Sequence, residues 1–192
     1  MWRSTSRLSI PSAILLALSS AACRDGSGAF RASPGAPVVL VSIDTLRADR
    51  MPAWGYRAGS TPAIDRLAQD AVLFENAYAQ VPLTLPSHAS LLTGLLPADN
   101  GVRSNIGYKL DVTKQETLPQ VLRGSGYSSL GAVSAYVLRR ETGLAAGFDS
   151  YDDAIDVYET ATLGALQRPG SEAVDGALVW IDRQAGHPFF AF

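Results

Sequence analysis

Residues 37–43, PVVLVSI, form a continuous apolar run dominated by β-branched residues. Such a run predicts a strand buried on both faces, as in a parallel sheet. Asp44 follows it directly. In open α/β sheets functional groups gather beyond the carboxyl ends of strands, so Asp44 is a candidate ligand. Residues 60–71, STPAIDRLAQDA, predict a helix with Thr61 as cap and Pro62 at the first helical position. Ile64, Leu67 and Ala71 fall on one of its faces. Residues 72–79, VLFENAYA, predict a strand, and Ser87 to Thr93 a short helix stopped by Gly94. A further short helix is expected in 117–127, ended by Gly124 or Gly126, followed by a strand of small residues at 128–135. Residues 171–186 predict a helix with Val174, Leu178 and Ile181 on one face and Gly186 as its end. PFFAF, at 188–192, opens another buried strand.

Alternating strands and helices indicate an α/β fold, a mostly parallel sheet flanked by helices. The last apolar run reaches Phe192 with no helix after it. The expectation is therefore an incomplete sheet, with this chain the N-terminal part of a larger protein.

Composition narrows the picture. The chain has 192 residues, 47% hydrophobic and 18% charged, enough for one domain with a real core. Its net charge of −2 offers no basic patch, so nucleic-acid binding is not expected. Residues 1–22 have a different character. MWRSTSR carries two arginines and no acid, an apolar run AILLAL follows, and small residues close it. This is the layout of a secretory signal, too short in its apolar part for a membrane span of roughly 20 residues. Cys23 is the only cysteine, so no disulfide can form within the chain. Small residues before a lone cysteine resemble a bacterial lipoprotein signal, with Ser20 as the departure where an aliphatic residue is usual. That resemblance implies lipidation of Cys23, anchorage to a membrane, and an exported protein of the periplasm or cell envelope. Residues 23–36 read as a flexible Gly/Ser/Pro tether, leaving 37–192 as the folded part.

The chemistry centres on VPLTLPSHASLLTG, residues 81–94. Thr84 stands just before a helix pattern whose first turn contains Pro86. It is either a helix cap or a nucleophile held at the positive end of a helix. Asn105 lies 21 residues further on, in GVRSN; Asn there is either a loop former or a donor to an anion. Arg47 and Asp49 read as helix-entry or salt-bridge residues, and His187 as a loop histidine.

Taken together, VVLVSIDTLRADRM, STPAIDRLAQDAVLFENAYA, TLPSHASLLTGLLP and GFDSYDD resemble the alkaline phosphatase superfamily. Within it they resemble the sulfatase-like hydrolases and the nucleotide pyrophosphatase/phosphodiesterase branch. The match is nearly continuous from about 37 to 134, thins through 154–170, and returns at 171–192. The resemblance implies a divalent metal held partly by Asp44 and touching the Thr84 hydroxyl. It implies attack by Thr84 on an ester and a covalent intermediate resolved by water. Backbone N–H groups at the helix start, Leu85 foremost, and the Asn105 amide would face the anionic oxygens. His88 takes the place where sulfatases carry an arginine. It would either hydrogen-bond the nucleophile or orient a ligand, or else pack beneath the site as a structural histidine.

Two departures bear on the substrate. Sulfatases of this type oxidise a Cys or Ser to an aldehyde, formylglycine; a threonine would give a ketone. Calcium sites in the family place two adjacent acids after the first strand, and here the second position is Thr45. One hard oxygen ligand is lost, which makes calcium the lesser candidate and a two-zinc site, metals about 3.5–4 Å apart, the greater. The implied reaction is hydrolysis or transfer of a small-molecule phosphate ester, foremost a phosphodiester. Sulfate-ester hydrolysis is the alternative, and phosphoethanolamine or phosphoglycerol transfer a third variant. The family completes its metal site with later Asp and His residues, commonly an adjacent Asp-His pair, and no such pair occurs in these 192 residues. The chain alone is thus expected to be inactive, as a piece of an enzyme or as a surface-anchored binding protein.

Overall fold

The computed structural model describes residues 33–156, 162 and 165–192. The expected signal, Cys23 and most of the tether lie outside the described residues.

Four strands, all paired in parallel, form one sheet in the order β1-β4-β2-β3. They are β1 (Val38–Val39), β2 (Ser128–Ala132), β3 (Ser150–Asp152) and β4 (Phe189–Ala191). Among the described residues five α-helices accompany them: α1 (Pro62–Asp70), α2 (Thr84–Thr93), α3 (Pro97–Asn100), α4 (Leu118–Gly124) and α5 (Gly170–Asp182). The α/β class and the parallel sheet expected from the sequence are thus present.

The run at 188–192 supplies the central strand. Successive side chains of a strand point to opposite faces, and β4 shows what each face meets. Phe190 is fully buried and stacks on Phe148 with ring centroids 5.8 Å apart. Phe189 meets the edge of Trp180 on α5 at 5.9 Å. Phe192, on the Phe190 side, reaches His88 of α2 at 5.8 Å. Helices α2 and α5 therefore pack on opposite faces. The core lies on the α2 side and joins Leu85, Ala89 and Leu92 to Val102, Leu110, Leu144 and Phe190.

Several expectations need correction. The strand predicted over 37–43 is confined to Val38–Val39 and is not buried on both faces; Val41 is 73% exposed. Among the described residues β1 is an edge strand, paired with β4 alone. Residues 72–79 form no strand, although their β-propensity is high; a strand needs a pairing partner and none of the described residues provides one. Leu67 of α1 is 67% exposed, so the predicted apolar face of that helix is not buried. On α5 the buried residue is Ala173, while Val174 and Leu178 are exposed. That helix stops at Asp182, ahead of Gly186. Thr61 holds the cap position of α1 but makes no capping bond; its hydroxyl donates to Asp65 instead.

Gly143 shows where the fold tolerates no side chain. Its φ is +90°, and a Cβ there would overlap the Leu110 carbonyl oxygen. Gly143→Ala should therefore cost about 2–3 kcal/mol or more. Gly124, in α4, has nothing within 4 Å of a Cβ. Gly124→Ala should stabilise by about 0.5–1 kcal/mol. Urea unfolding of both variants checks the contrast.

Candidate functional site

The chain leaves β1 through a turn closed by Leu46 N–H donating to Ile43 O at 3.3 Å. Asp44 and Thr45 are its central residues. Thr45 has φ +57°, in the left-handed region. At the third position of a turn that conformation suits Gly or Asn; a β-branched residue there is strained. The turn holds the Asp44 carboxylate at the carboxyl edge of the sheet.

Helix α2 brings the second group. Thr84 is its first helical residue, with Leu83 as the cap position. Thr84 is thus not a capping side chain. Its hydroxyl donates instead to Asp44 Oδ2 at 3.0 Å, across 40 positions of sequence. The two residues that the sequence singled out are in contact.

The first turn of a helix leaves several N–H groups without intrahelical partners, and part of that set is engaged here. Pro86 has none. Ser87 N–H donates to Leu83 O at 3.0 Å. Leu85 N–H donates to Asn105 Oδ1 at 2.8 Å. This corrects the expectation that Leu85 N–H faces a substrate anion, because Asn105 already occupies it. The same bond fixes the Asn105 amide. With Oδ1 committed to a donor, Nδ2 is left with no hydrogen-bond partner among the described residues. The loop carrying Asn105 is set by buried Asn100, which accepts Val102 N–H at 2.9 Å and donates to Leu95 O at 3.1 Å.

His88 sits one turn along α2 and is 7% exposed. Its Nδ1 lies 2.7 Å from Thr84 O and its Nε2 2.8 Å from Ser42 Oγ. A carbonyl can only accept, so Nδ1 carries the proton. In the neutral ring Nε2 then accepts from the Ser42 hydroxyl. Both nitrogens are committed away from the Thr84 hydroxyl. Of the two roles the sequence left open, the geometry is that of a histidine packed beneath the site. Ser42 was not foreseen, being hidden as one polar position inside an apolar run.

Asp44, Thr45, Thr84 and Asn105 line one wall of a cleft of about 350 Å³. The wall carries one carboxylate, and no Lys, Arg or His lines the cleft. An anionic ester would meet uncompensated negative charge there without a cation. The donor set fits a cation in chemistry, with two oxygens 3.0 Å apart at the cleft. It does not complete a site: no group of three or more His, Cys, Asp or Glu able to hold a metal occurs among the described residues, and catalytic zinc sites take three protein ligands. His187 is exposed and remote from the cleft. Arg47 and Asp49 pair with each other at 2.6 Å on the surface, which is the salt-bridge reading. That pairing raises the Arg47 pKa through the Asp49 hydrogen bond and lowers that of Asp49 in turn.

Comparison with known proteins gives a consistent result. The family model described as Sulfatase matches residues 37–192. N-acetylgalactosamine-6-sulfatase of Sus scrofa is 34% identical over 127 residues, covering 60% of this chain and 24% of that protein. The chain thus spans about a quarter of the length of the curated relatives it matches first. Among solved structures, an enzyme in complex with its substrate D-glucosamine-2-N,6-O-disulfate superposes with TM-score 0.64 at 24% identity, over 81% of this chain and 33% of that one. The phosphonate monoester hydrolase of Agrobacterium radiobacter does so with TM-score 0.54 at 27% identity, over 79% and 29%.

Two outcomes follow from the geometry. His88→Ala removes a buried ring and its bonds to Ser42 and to Thr84 O, and should cost about 2–4 kcal/mol. Ser42→Ala should cost about 1 kcal/mol, and a double-mutant cycle should show coupling above about 0.5 kcal/mol. Thr45→Asn relieves the left-handed strain and should stabilise by about 1 kcal/mol in equilibrium unfolding.

Proposed function

The chain belongs to the sulfatase family, and from that premise we propose that it carries the nucleophile side of a metal-dependent ester hydrolase. In this reading Thr84 attacks a small-molecule phosphate ester, foremost a phosphodiester. The observation that carries it is the 3.0 Å contact between the Thr84 hydroxyl, at the start of α2, and the Asp44 carboxylate beyond β1.

The chain's own groups divide the work. The Thr84 hydroxyl donates to Asp44 Oδ2, so the carboxylate is placed to take the proton as Oγ attacks and to return it when the hydroxyl is restored. Oγ forms a bond to phosphorus while the bond to the leaving oxygen breaks, and that oxygen takes a proton from solvent. Water then displaces Thr84 from phosphorus, releasing the phosphate product and restoring the hydroxyl. Asn105 Nδ2 donates to a non-bridging oxygen, held in place by the bond from Leu85 N–H to Oδ1. One aimed donor of this kind contributes ~3–4 kcal/mol to the transition state. Asp44 and Thr84 are the residues here that would hold a divalent cation, zinc being the best match to the reading, which would supply Lewis acidity and offset the negative charge of the site. The remaining ligands would come from outside the described residues.

The choice of phosphorus rests on side-chain chemistry. Threonine has a methyl group on Cβ, so oxidation cannot give the aldehyde on which formylglycine sulfatases depend. The likeness to a phosphonate monoester hydrolase at 27% identity is compatible with phosphoryl chemistry. Sulfate-ester hydrolysis is the second reading, favoured by the curated relatives, which include sulfatases acting at galactosamine and hexuronate positions by their names. Fold membership does not decide between them.

The Cys23 reading extends the proposal: an exported protein, tethered to a membrane surface through residue 23. No helix among the described residues is long and apolar enough to cross a membrane.

Side-by-side assays of the full-length protein on an aryl phosphodiester, a phosphomonoester and a sulfate ester test the reaction. The phosphodiester should lead. Thr84→Ala should lower kcat/KM about a thousandfold or more, and Asn105→Ala about 100- to 1,000-fold. Leading sulfate turnover would transfer the conclusion to the second reading; full activity in Thr84→Ala would remove the nucleophile. Mass spectrometry of the mature protein should find acyl chains on Cys23, and an unmodified start elsewhere would reject the anchor.

A further inference from the structure

The cleft has an opposite wall that the chemistry above does not use. It is formed by Ala135, Tyr136 and Val137, just beyond β2, with Leu166 and Gln167. Part of the backbone here is already engaged. Tyr136 N–H donates to Leu166 O at 3.1 Å, and Leu138 N–H to Ala135 O at 2.9 Å. Tyr136 O accepts from Arg139 N–H at 3.2 Å and from Arg139 Nε at 3.3 Å. What remains to meet a ligand is apolar side-chain surface, the Tyr136 ring with its hydroxyl, and the Gln167 amide.

Both halves of the wall are fixed in place. The Arg139 guanidinium lies over one face of the Tyr136 ring, Cζ 3.6 Å from the centroid. That contact holds the ring in one orientation by cation–π attraction. The strap bearing Leu166 and Gln167 is pinned by Arg168, whose side chain is 8% exposed. It donates to Val133 O at 3.0 Å, Asp152 Oδ1 at 2.9 Å and Asp152 O at 3.1 Å. Tyr136, its ring engaged by Arg139, therefore lines the same 350 Å³ cleft as Thr84, a volume within the range of small-molecule sites.

We propose that Tyr136 is the platform on which the alcohol portion of the ester stacks, so that the site selects a ring with a flat apolar face over a small alkyl group. An aryl ring and the CH face of a sugar ring share this chemistry. The proposal rests on the reading of the cleft as an ester site. A stacked ring gains contact area and the aromatic contribution; a methyl group reaches neither. Tyr136 thus sets specificity and takes no part in bond making.

Binding separates this from differences in leaving-group reactivity. Calorimetry on the full-length protein compares phenylphosphonate with methylphosphonate, benzenesulfonate with methanesulfonate, and glucose 6-phosphate as the sugar arm. Within each head group the phenyl anion should bind about tenfold tighter than the methyl anion. Tyr136→Ala should abolish that ratio and leave the methyl anions unchanged, while Tyr136→Phe should preserve it. A sugar phosphate that loses affinity in Tyr136→Ala as the phenyl anion does identifies the sugar face as a second source of the same chemistry. Equal weakening of ring and methyl anions, or no ring preference in the wild type, overturns the platform and leaves the ester reading intact. Failure of every anion to bind sinks both.

Discussion

The join between the exit of β1 and the first turn of α2 governs the arrangement. Two hydrogen bonds make it. Thr84 Oγ meets Asp44 above, and His88 meets Ser42 below while holding Thr84 O. Each pair spans 40 or more positions of sequence. Neither group could hold its place alone: Asp44 sits in a turn of exposed residues, and Thr84 at a helix end. Helix α2 is buried along most of its length, so it is the fixed partner, and the turn is brought to it. The cost of the join is visible at Thr45, a β-branched residue held at positive φ. Such strain persists only where surrounding contacts over-determine the backbone.

Electrostatics reinforces the point. The reactive wall gathers a carboxylate, two hydroxyls and an amide, and the cleft is lined by no cationic side chain. The arginines near this end of the sheet are engaged elsewhere. Arg140 pairs with Asp153 at 2.6 Å, Arg168 with Asp152 at 2.9 Å, and Arg139 lies on Tyr136. These pairings build walls. They leave charge compensation at Thr84 to something other than a side chain of this part of the chain, which is the physical ground for the cation in the proposed reaction.

Much of this was legible in the sequence because local chemistry and chain order agreed. An apolar run followed by an acid, a Thr two residues ahead of Pro86, and an Asn in a polar loop marked Asp44, Thr84 and Asn105, and all three meet at one cleft. Contact-dependent features were less legible. The role of His88 turns on which way its ring nitrogens point, which no pattern encodes. Leu85 N–H looked free because its partner lies 20 residues away. Residues 72–79 have the composition of a strand, but pairing is a property of neighbours, and composition cannot supply them. The same holds for Val41 and Val174, apolar by pattern and exposed because the described elements give them nothing to pack against. Tyr136 was passed over because no motif surrounds it. Its one signal was an aromatic residue directly after a strand of small residues, at the end of the sheet where Asp44 also lies.

The two sets of residues that line the cleft share one packed core, where α2 meets residues 133–138, but the hydrogen bonds that fix them are separate. Asp44, Thr84 and Asn105 are held by β1, α2 and the loop after α3, through bonds that do not involve residues 133–168. Tyr136 and Leu166 are held by the exit of β2, the end of β3 and the Arg168 strap. Residues at the ends of strands and in loops can change without disturbing the sheet that carries them. A change at Tyr136 would therefore alter what the site accepts while the Asp44–Thr84 pair keeps its 3.0 Å contact.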